Sequence, residues 1–86
     1  MPRTVKAPIE VQMLSDYSRN IEYQCFRRKW NVEDLVTKTG LSRNTIQRIR
    51  ANRHKQIDAH ALTKFCEAFE VTPDHLLLRH EGIAYN

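Results

Sequence analysis

The sequence predicts an all-α fold, a small domain of five helices. Only two glycines and three prolines occur in 86 residues, so the closely spaced turns that an all-β domain of this size requires are missing. Over most of the chain, apolar residues recur three or four positions apart, which is the spacing of one face of a helix. Hydrophobic residues make up 41% and charged residues 28% of the chain, a balance typical of a globular domain rather than a disordered one.

The length and composition also argue against several functions. A chain of 86 residues makes one domain but not a catalytic fold with separate substrate and cofactor parts. We expect no enzymatic activity, because no serine or cysteine is accompanied by a histidine and carboxylate to activate it. No apolar run reaches the ~18 residues that cross a bilayer, and the first residues lack the apolar stretch of a secretion signal, so we expect a cytoplasmic protein. Cys25 and Cys66 lack the spacing of a disulfide framework or a metal site and are expected to be buried thiols.

The first 13 residues differ in pattern from the rest of the chain. Apolar and polar residues alternate from residue 4 to residue 13, which predicts a short strand, and Pro8 would confine that strand to a sheet edge. We therefore divide the single domain, residues 1–86, into an N-terminal strand or arm (1–13), a five-helix domain (14–79) and an extended C-terminal tail (80–86).

Apolar spacing and capping residues predict the first two helices. An amphipathic pattern begins at Leu14 and ends near Lys29. Asn31 is a favourable N-cap and is followed by two carboxylates that suit the positive end of a helix dipole, so the second helix is expected at residues 32–39. Gly40 then supplies the left-handed conformation that ends a helix.

The third helix, residues 43–50, is predicted to expose most of its side chains. Ser42 is its expected N-cap, and only Ile46 and Ile49 are apolar anchors within it. One narrow side is therefore expected to be buried and the remainder to face outward. A polar, basic loop follows at residues 51–56.

The last two helices complete the predicted core. Asp58 is expected to cap the fourth helix, which has the cleanest apolar stripe in the chain. Thr72 is expected to cap a short fifth helix at residues 74–78, and Pro73 supports this start because proline favours the first helical position. The apolar stripe of the fourth helix consists of Leu62, Phe65, Cys66 and Phe69.

Positive charge is concentrated in the middle of the chain. The net charge is +4, but residues 35–57 hold six basic and no acidic side chains, whereas residues 1–34 sum to +1 and residues 58–86 to −3. A polyanion would be attracted by this field, so nucleic acid is the expected partner, with a solvated basic helix face as the alternative. The six basic residues are Lys38, Arg43, Arg48, Arg50, Arg53 and Lys55.

The second and third helices, joined at Gly40, have the spacing of a helix-turn-helix. With one helix before them and two after, the chain resembles the five-helix Cro and phage-repressor (XRE-like) type of DNA-binding domain over residues 20–79. Three blocks carry this resemblance: WNVEDLV at 30–36, TGLSRNTIQRI at 39–49 and LTKFCEAFEVTPDHLL at 62–77.

The resemblance implies a sequence-specific, double-stranded DNA-binding transcriptional regulator of repressor-like type. Its recognition helix, residues 43–50, would lie in the major groove. Arginine there suits guanine, and asparagine and glutamine suit adenine. The implied base-reading residues are Arg43, Asn44, Gln47 and Arg48. The implied phosphate-binding residues are Asn31, Ser42, Thr45, Arg50, Arg53, His54 and Lys55.

The chain departs from the family pattern at several positions. Val32 stands where members often carry a glutamine that contacts phosphate and braces the recognition helix, so that contact is not expected here. Val36 and Thr39 differ from the residues usual before the turn and predict slightly wider packing of the two helices. After the recognition helix, Arg50 replaces a glutamate, which predicts weaker discrimination against non-specific DNA, and Asn52 is expected to adopt the left-handed conformation.

The expected assembly is a homodimer on a pseudo-palindromic operator. The first 13 residues would then pair as a strand or act as an arm whose Arg3 and Lys6 enter the minor groove. A helix-turn-helix antitoxin that binds a partner toxin is the alternative function, less favoured because little chain lies outside the five helices. We expect no cofactor and no metal, since His75 and His80 are placed on different helix faces and no paired ligand spacing occurs.

Overall fold

The computed structural model describes residues 8–83, which fold into five helices and contain no strand. The all-α fold is confirmed, and the second and third helices have the predicted bounds. None of the helices described in this range is both long and apolar enough to cross a bilayer. The helices are α1 (Pro8–Arg28), α2 (Val32–Thr39), α3 (Arg43–Arg50), α4 (Ala59–Phe69) and α5 (Asp74–Leu77).

Helix α1 begins at Pro8, well before the predicted start at Leu14. The strand predicted for residues 4–13 is therefore wrong from Pro8 onward, while residues 4–7 lie outside the described residues. Proline is well suited to the first position of a helix, where its missing N–H costs no hydrogen bond. The alternating pattern did not indicate a strand, because Val11 and Met13 are 55% and 42% exposed and do not belong to a buried face.

The C-terminal tail is not extended where the structure describes it. Residues 81–83 form a turn and a bend, and residues 84–86 lie outside the described range.

The core forms where α1 packs against α3, α4 and α5, and α2 packs against α3 and α4. Aromatic stacking runs through it, with Phe65 and Phe69 ring centroids 6.1 Å apart and Trp30 stacked on Phe69 at 5.6 Å. Burying one large apolar side chain stabilises a fold by about 1.5–3 kcal/mol, so this cluster supplies most of the driving force for folding. The buried apolar residues are Tyr17, Ile21, Cys25, Leu35, Ile46, Ile49, Ala61, Phe65, Phe69 and Leu76.

The predicted N-caps of α2, α3 and α4 are confirmed. The Asp34 backbone N–H donates to Asn31 Oδ1 at 2.9 Å, and the Asn31 N–H donates back to the Asp34 carboxylate at 3.0 Å. The side chains of Ser42 and Asp58 accept the equivalent backbone N–H at the starts of α3 and α4, each at 3.1 Å. These bonds satisfy donors that a helix start leaves without an intrahelical partner.

Helix α5 differs from the prediction in its cap and its end. Pro73, rather than Thr72, occupies the N-cap position, and it makes no side-chain cap bond. The His75 N–H instead donates to the Thr72 carbonyl at 3.0 Å. The helix ends at Leu77, one residue earlier than predicted.

A buried asparagine joins α1 to the end of α5. Asn20 has no exposed surface, and its Nδ2 donates to the carbonyls of Leu76 at 2.8 Å and Leu78 at 2.9 Å. Carbonyls at a helix C-terminus lack an intrahelical partner, so a buried end needs donors from elsewhere. Asn20 provides two of them.

Two further side chains of α1 bond to the ends of other helices. Ser18 Oγ donates to the carbonyl of Ile49, in the last turn of α3, at 2.5 Å. Arg28 Nη2 donates to the carbonyl of Phe69, the last residue of α4, at 2.7 Å. Helix α1 therefore supplies hydrogen bonds to the C-terminal turns of three helices.

Replacing Asn20 with alanine should destabilise the domain by about 1–3 kcal/mol, because the buried carbonyl of Leu76 and the part-buried carbonyl of Leu78 would lose a donor. Urea unfolding followed by circular dichroism measures this loss. Thr63→Ala is the matched control, since the exposed Thr63 hydroxyl donates only within α4, to the Ala59 carbonyl, and should change stability by less than about 0.5 kcal/mol. Equal effects of the two substitutions would contradict the role given to Asn20.

Candidate nucleic-acid interface

The turn between α2 and α3 is closed by a glycine and a threonine. Gly40 has φ 76°, in the left-handed region, and its N–H donates to the Val36 carbonyl at 2.9 Å. Thr39 is buried, and its hydroxyl donates to the Leu35 carbonyl at 2.7 Å and accepts from the Leu41 N–H at 3.1 Å. Threonine at this position therefore holds the turn by hydrogen bonds, where an aliphatic residue could only pack.

Helix α3 is attached to the core by one side, as predicted. Ile46 and Ile49 are its only buried residues. Positions one turn apart lie on the same face of a helix, so the exposed side chains on the side opposite these two anchors form a continuous outer stripe. The stripe holds all four predicted base-reading residues, each of them exposed: Arg43, Asn44, Gln47 and Arg48.

An ion pair not predicted from the sequence lies at the start of α3. The guanidinium of Arg43 contacts the carboxylate of Glu33 through Nη2 and Oε2. Their side chains are 53% and 59% exposed, so the pair lies on the surface beside the outer stripe. Because the first turn of α2 packs next to the first turn of α3 in a helix-turn-helix, an acid at position 33 is the sequence signal that could have identified the pair.

A groove beside α3 brings together five of the predicted site residues. It lies between α3, the loop at residues 51–58 and α4, and has a volume of about 820 Å³. Asn52, at the start of the loop, has φ 59°, which confirms the predicted left-handed conformation. The groove carries three basic side chains and one carboxylate, so an anion is the ligand that its charge favours. Its lining includes Thr45, Arg48, Arg53, His54, Lys55 and Asp58.

His54 points inward from this loop instead of outward. Its ring packs edge-on against Tyr17 with centroids 5.7 Å apart, and both ring nitrogens are buried without a hydrogen-bond partner among the described residues. Burial lowers the pKa of His54, the positive charge of Arg48 acts in the same direction, and the backbone of Leu14 opposes them only in part. Burial therefore favours the neutral imidazole, and both ring nitrogens are shielded from the groove that the residue lines.

Three of the predicted phosphate-binding residues, Asn31, Ser42 and Thr45, lie at the starts of α2 and α3. Asn31 is exposed at the N-cap of α2. Ser42 is exposed, and its hydroxyl donates to Thr45 Oγ1 at 2.9 Å while accepting from the Thr45 N–H at 3.1 Å. These side chains are therefore fixed at positive helix ends, where anions bind favourably.

Arg50 lies apart from the other predicted phosphate contacts. It is half-buried and lines two hollows against α1, where Glu22 and Phe26 also lie. Its guanidinium charge acts on Cys25, whose thiol pKa is raised by burial and partly lowered again by Arg50. Of the two predicted buried thiols, Cys25 is buried and Cys66 half-buried, and neither forms a disulfide.

The histidines at the C-terminal end are closer than predicted. His75 and His80 stack with ring centroids 5.8 Å apart, because the chain leaves α5 at Leu77 and turns back. Their placement on different helix faces was therefore wrong. Even so, the part of the chain between residues 8 and 83 holds no group of three side chains able to bind a metal ion.

The buried imidazole of His54 should make the domain less stable in acid. A base whose pKa is lower in the folded state than its ordinary value of 6.5 binds fewer protons when folded, so stability falls as pH drops through that value. His54→Phe keeps an aromatic ring but removes the titration. Urea unfolding between about pH 8 and pH 5.5 should therefore show a smaller loss of stability in the variant, and identical profiles would contradict the neutral, buried state.

Comparison with known proteins agrees with this architecture. Residues 20–79 match the family model of the Cro/C1-type helix-turn-helix DNA-binding domain. The fold is similar to the crystal structure of the hypothetical transcription factor NHTF from Neisseria, with a TM-score of 0.72 and 22% identity over 90% of this chain and 87% of that one. No curated protein matches the chain. Since the family model covers well over half of the residues, the chain belongs to the Cro/C1-type helix-turn-helix DNA-binding domain family.

Proposed function

We propose that the protein is a sequence-specific, double-stranded DNA-binding transcriptional regulator that inserts α3 into the major groove. The observation that carries this proposal is the exposed polar stripe of α3, on a helix anchored by only two isoleucines and bordered by a basic groove. The major groove is wide enough for one α-helix and displays a different pattern of donors and acceptors for each base pair. A protruding helix with these side chains is suited to reading that pattern.

The four exposed residues of the stripe have complementary chemistry. Arg43 can donate two hydrogen bonds to guanine, and Asn44 and Gln47 can each pair with the N6 and N7 edge of adenine. Arg48 lines the groove as well as the stripe, so it can serve either a base or a phosphate. We propose that these four residues determine the DNA sequence recognised.

Residues around the stripe are proposed to hold the DNA backbone. Arg53 and Lys55 are exposed in the loop beside α3, where they can pair with phosphates on one side of the groove. Ser42 and Asn31 stand at the N-termini of α3 and α2, whose backbone N–H groups also favour phosphate. His54 has a packing role in this scheme, because its ring nitrogens are buried.

We propose that the protein acts as a homodimer on a pseudo-palindromic operator. One recognition helix covers only a few base pairs, which gives too little discrimination among the many sites of a genome. Two copies with their α3 helices about 34 Å apart would read successive turns of the major groove on one face of the duplex. Occupation of a promoter by such a dimer would exclude other proteins from it, which is a repressor-like action.

Base-reading residues should affect specific binding far more than non-specific binding. Selection of bound sites from random duplexes first supplies the preferred sequence. Asn44→Ala and Gln47→Ala should then each weaken binding to that sequence by about 1–3 kcal/mol and barely change binding to random DNA. Equal losses on both DNAs, measured by fluorescence anisotropy, would show that these side chains contact the backbone.

Phosphate-binding residues should affect all sequences alike. Arg53→Ala and Lys55→Ala should each weaken binding to every duplex. Each should also lower the slope of log K against log salt concentration by about one unit, which corresponds to one lost phosphate contact. Lys64→Ala is the control, because Lys64 lies on α4 beside Glu67 at 4.0 Å and outside the proposed interface. A salt dependence that changes as much in the control as in the loop variants would overturn these assignments.

A further inference from the structure

A carboxylate contacts the first side chain of α3, within the most basic part of the chain. Residues 35–57 hold six basic and no acidic side chains, yet Glu33 reaches from the first turn of α2 to the guanidinium of Arg43. Arg43 is the first residue of α3 and the base-reading residue nearest its N-terminus. A negative charge at this position repels DNA phosphates, so general affinity for DNA does not account for it.

Both partners of this pair stand on fixed backbone. Glu33 lies within the turn closed by the reciprocal bonds of Asn31 and Asp34, at 2.9 and 3.0 Å. Arg43 directly follows Ser42, whose side chain caps α3 at 3.1 Å. The distance between the Cα atoms of Glu33 and Arg43 is thereby set by the helix-turn-helix itself. The carboxylate can therefore restrict the direction in which the guanidinium points.

An arginine at the edge of a DNA-binding surface has two competing ligands. It can reach a phosphate, which carries no sequence information, or it can donate two hydrogen bonds to guanine. The carboxylate of Glu33 contacts Nη2 and leaves the remaining donors of the guanidinium available. It also lowers the gain that Arg43 would obtain from a phosphate, because the charge of the arginine is already partly compensated.

We propose that Glu33 is a specificity-determining residue, which positions Arg43 toward a guanine and keeps it away from the phosphate backbone. This inference rests on the proposed function of α3. Its consequence is that the G·C base pair facing the start of α3 is recognised by two residues, one that contacts the base and one that directs the contact. Glu33 lies outside α3, so a comparison of recognition helices alone would overlook it.

The test replaces Glu33 with glutamine, which keeps the size of the side chain and removes its charge. Three duplexes are compared at several salt concentrations: the selected site, the same site with the guanine pair of Arg43 replaced, and random DNA. We expect Glu33→Gln to reduce the preference for that guanine roughly tenfold. Affinity for random DNA should rise several-fold, because Arg43 is released to a phosphate. The slope of log K against log salt concentration should become steeper by up to about one unit, which corresponds to one added phosphate contact.

Two controls separate positioning from a simple change of charge. Glu67→Gln removes a carboxylate of similar exposure on α4, paired there with Lys64 at 4.0 Å, and should leave the guanine preference unchanged. In the presence of Arg43→Ala, Glu33→Gln should have no further effect on that preference, since the residue that it directs is missing.

The outcomes distinguish this inference from the function on which it rests. If Glu33→Gln strengthens binding to all three duplexes by one factor, or alters the guanine preference equally with and without Arg43, the positioning role is wrong while α3 can still read DNA. If Arg43→Ala changes the preference at no position of the selected site, the role of Arg43 in base reading fails, and the inference fails with it.

Discussion

The arrangement of the helices around the apolar core depends on hydrogen bonds from α1 to the C-terminal turns of three other helices. Terminal carbonyls have no partner within their own helix, and burying them without one is costly. Ser18, Asn20 and Arg28 supply donors to α3, α5 and α4 respectively. Because these side chains lie on the same helix as the buried Tyr17, Ile21 and Cys25, α1 both fills the core and bonds to the ends of the surrounding helices.

These hydrogen bonds help to hold α3, and with it the exposed stripe, in a fixed position. An isolated helix of eight residues is not stable in water, so α3 persists only through Ile46, Ile49 and the groups that hold its two ends. Ser42 caps the first turn, and Ser18 bonds to the last. With both ends fixed, the exposed side chains of α3 are not needed to hold the helix in place. They are therefore available for binding, which explains how so short a helix can be so polar.

The sequence was sufficient for the features that depend on neighbouring residues. The caps at Asn31, Ser42 and Asp58 and the bounds of α2 and α3 follow from local chemistry and spacing, and the structure has them as predicted. The start of α1 was missed because exposed apolar residues imitated a strand. The inward turn of His54 and the contact between Glu33 and Arg43 were also missed, because each is set by packing between elements that are separate in sequence.

The most direct test of the account is residue-resolved mapping of the DNA complex. In a titration of ¹⁵N-labelled protein with its selected duplex, backbone amide shifts should concentrate at the start of α2, along α3 and in the loop around Arg53, with little change on the far side of α4. Shifts centred instead on α1 and α5, with α3 unaffected, would contradict the claim that the outer stripe of α3 is the surface that reads DNA.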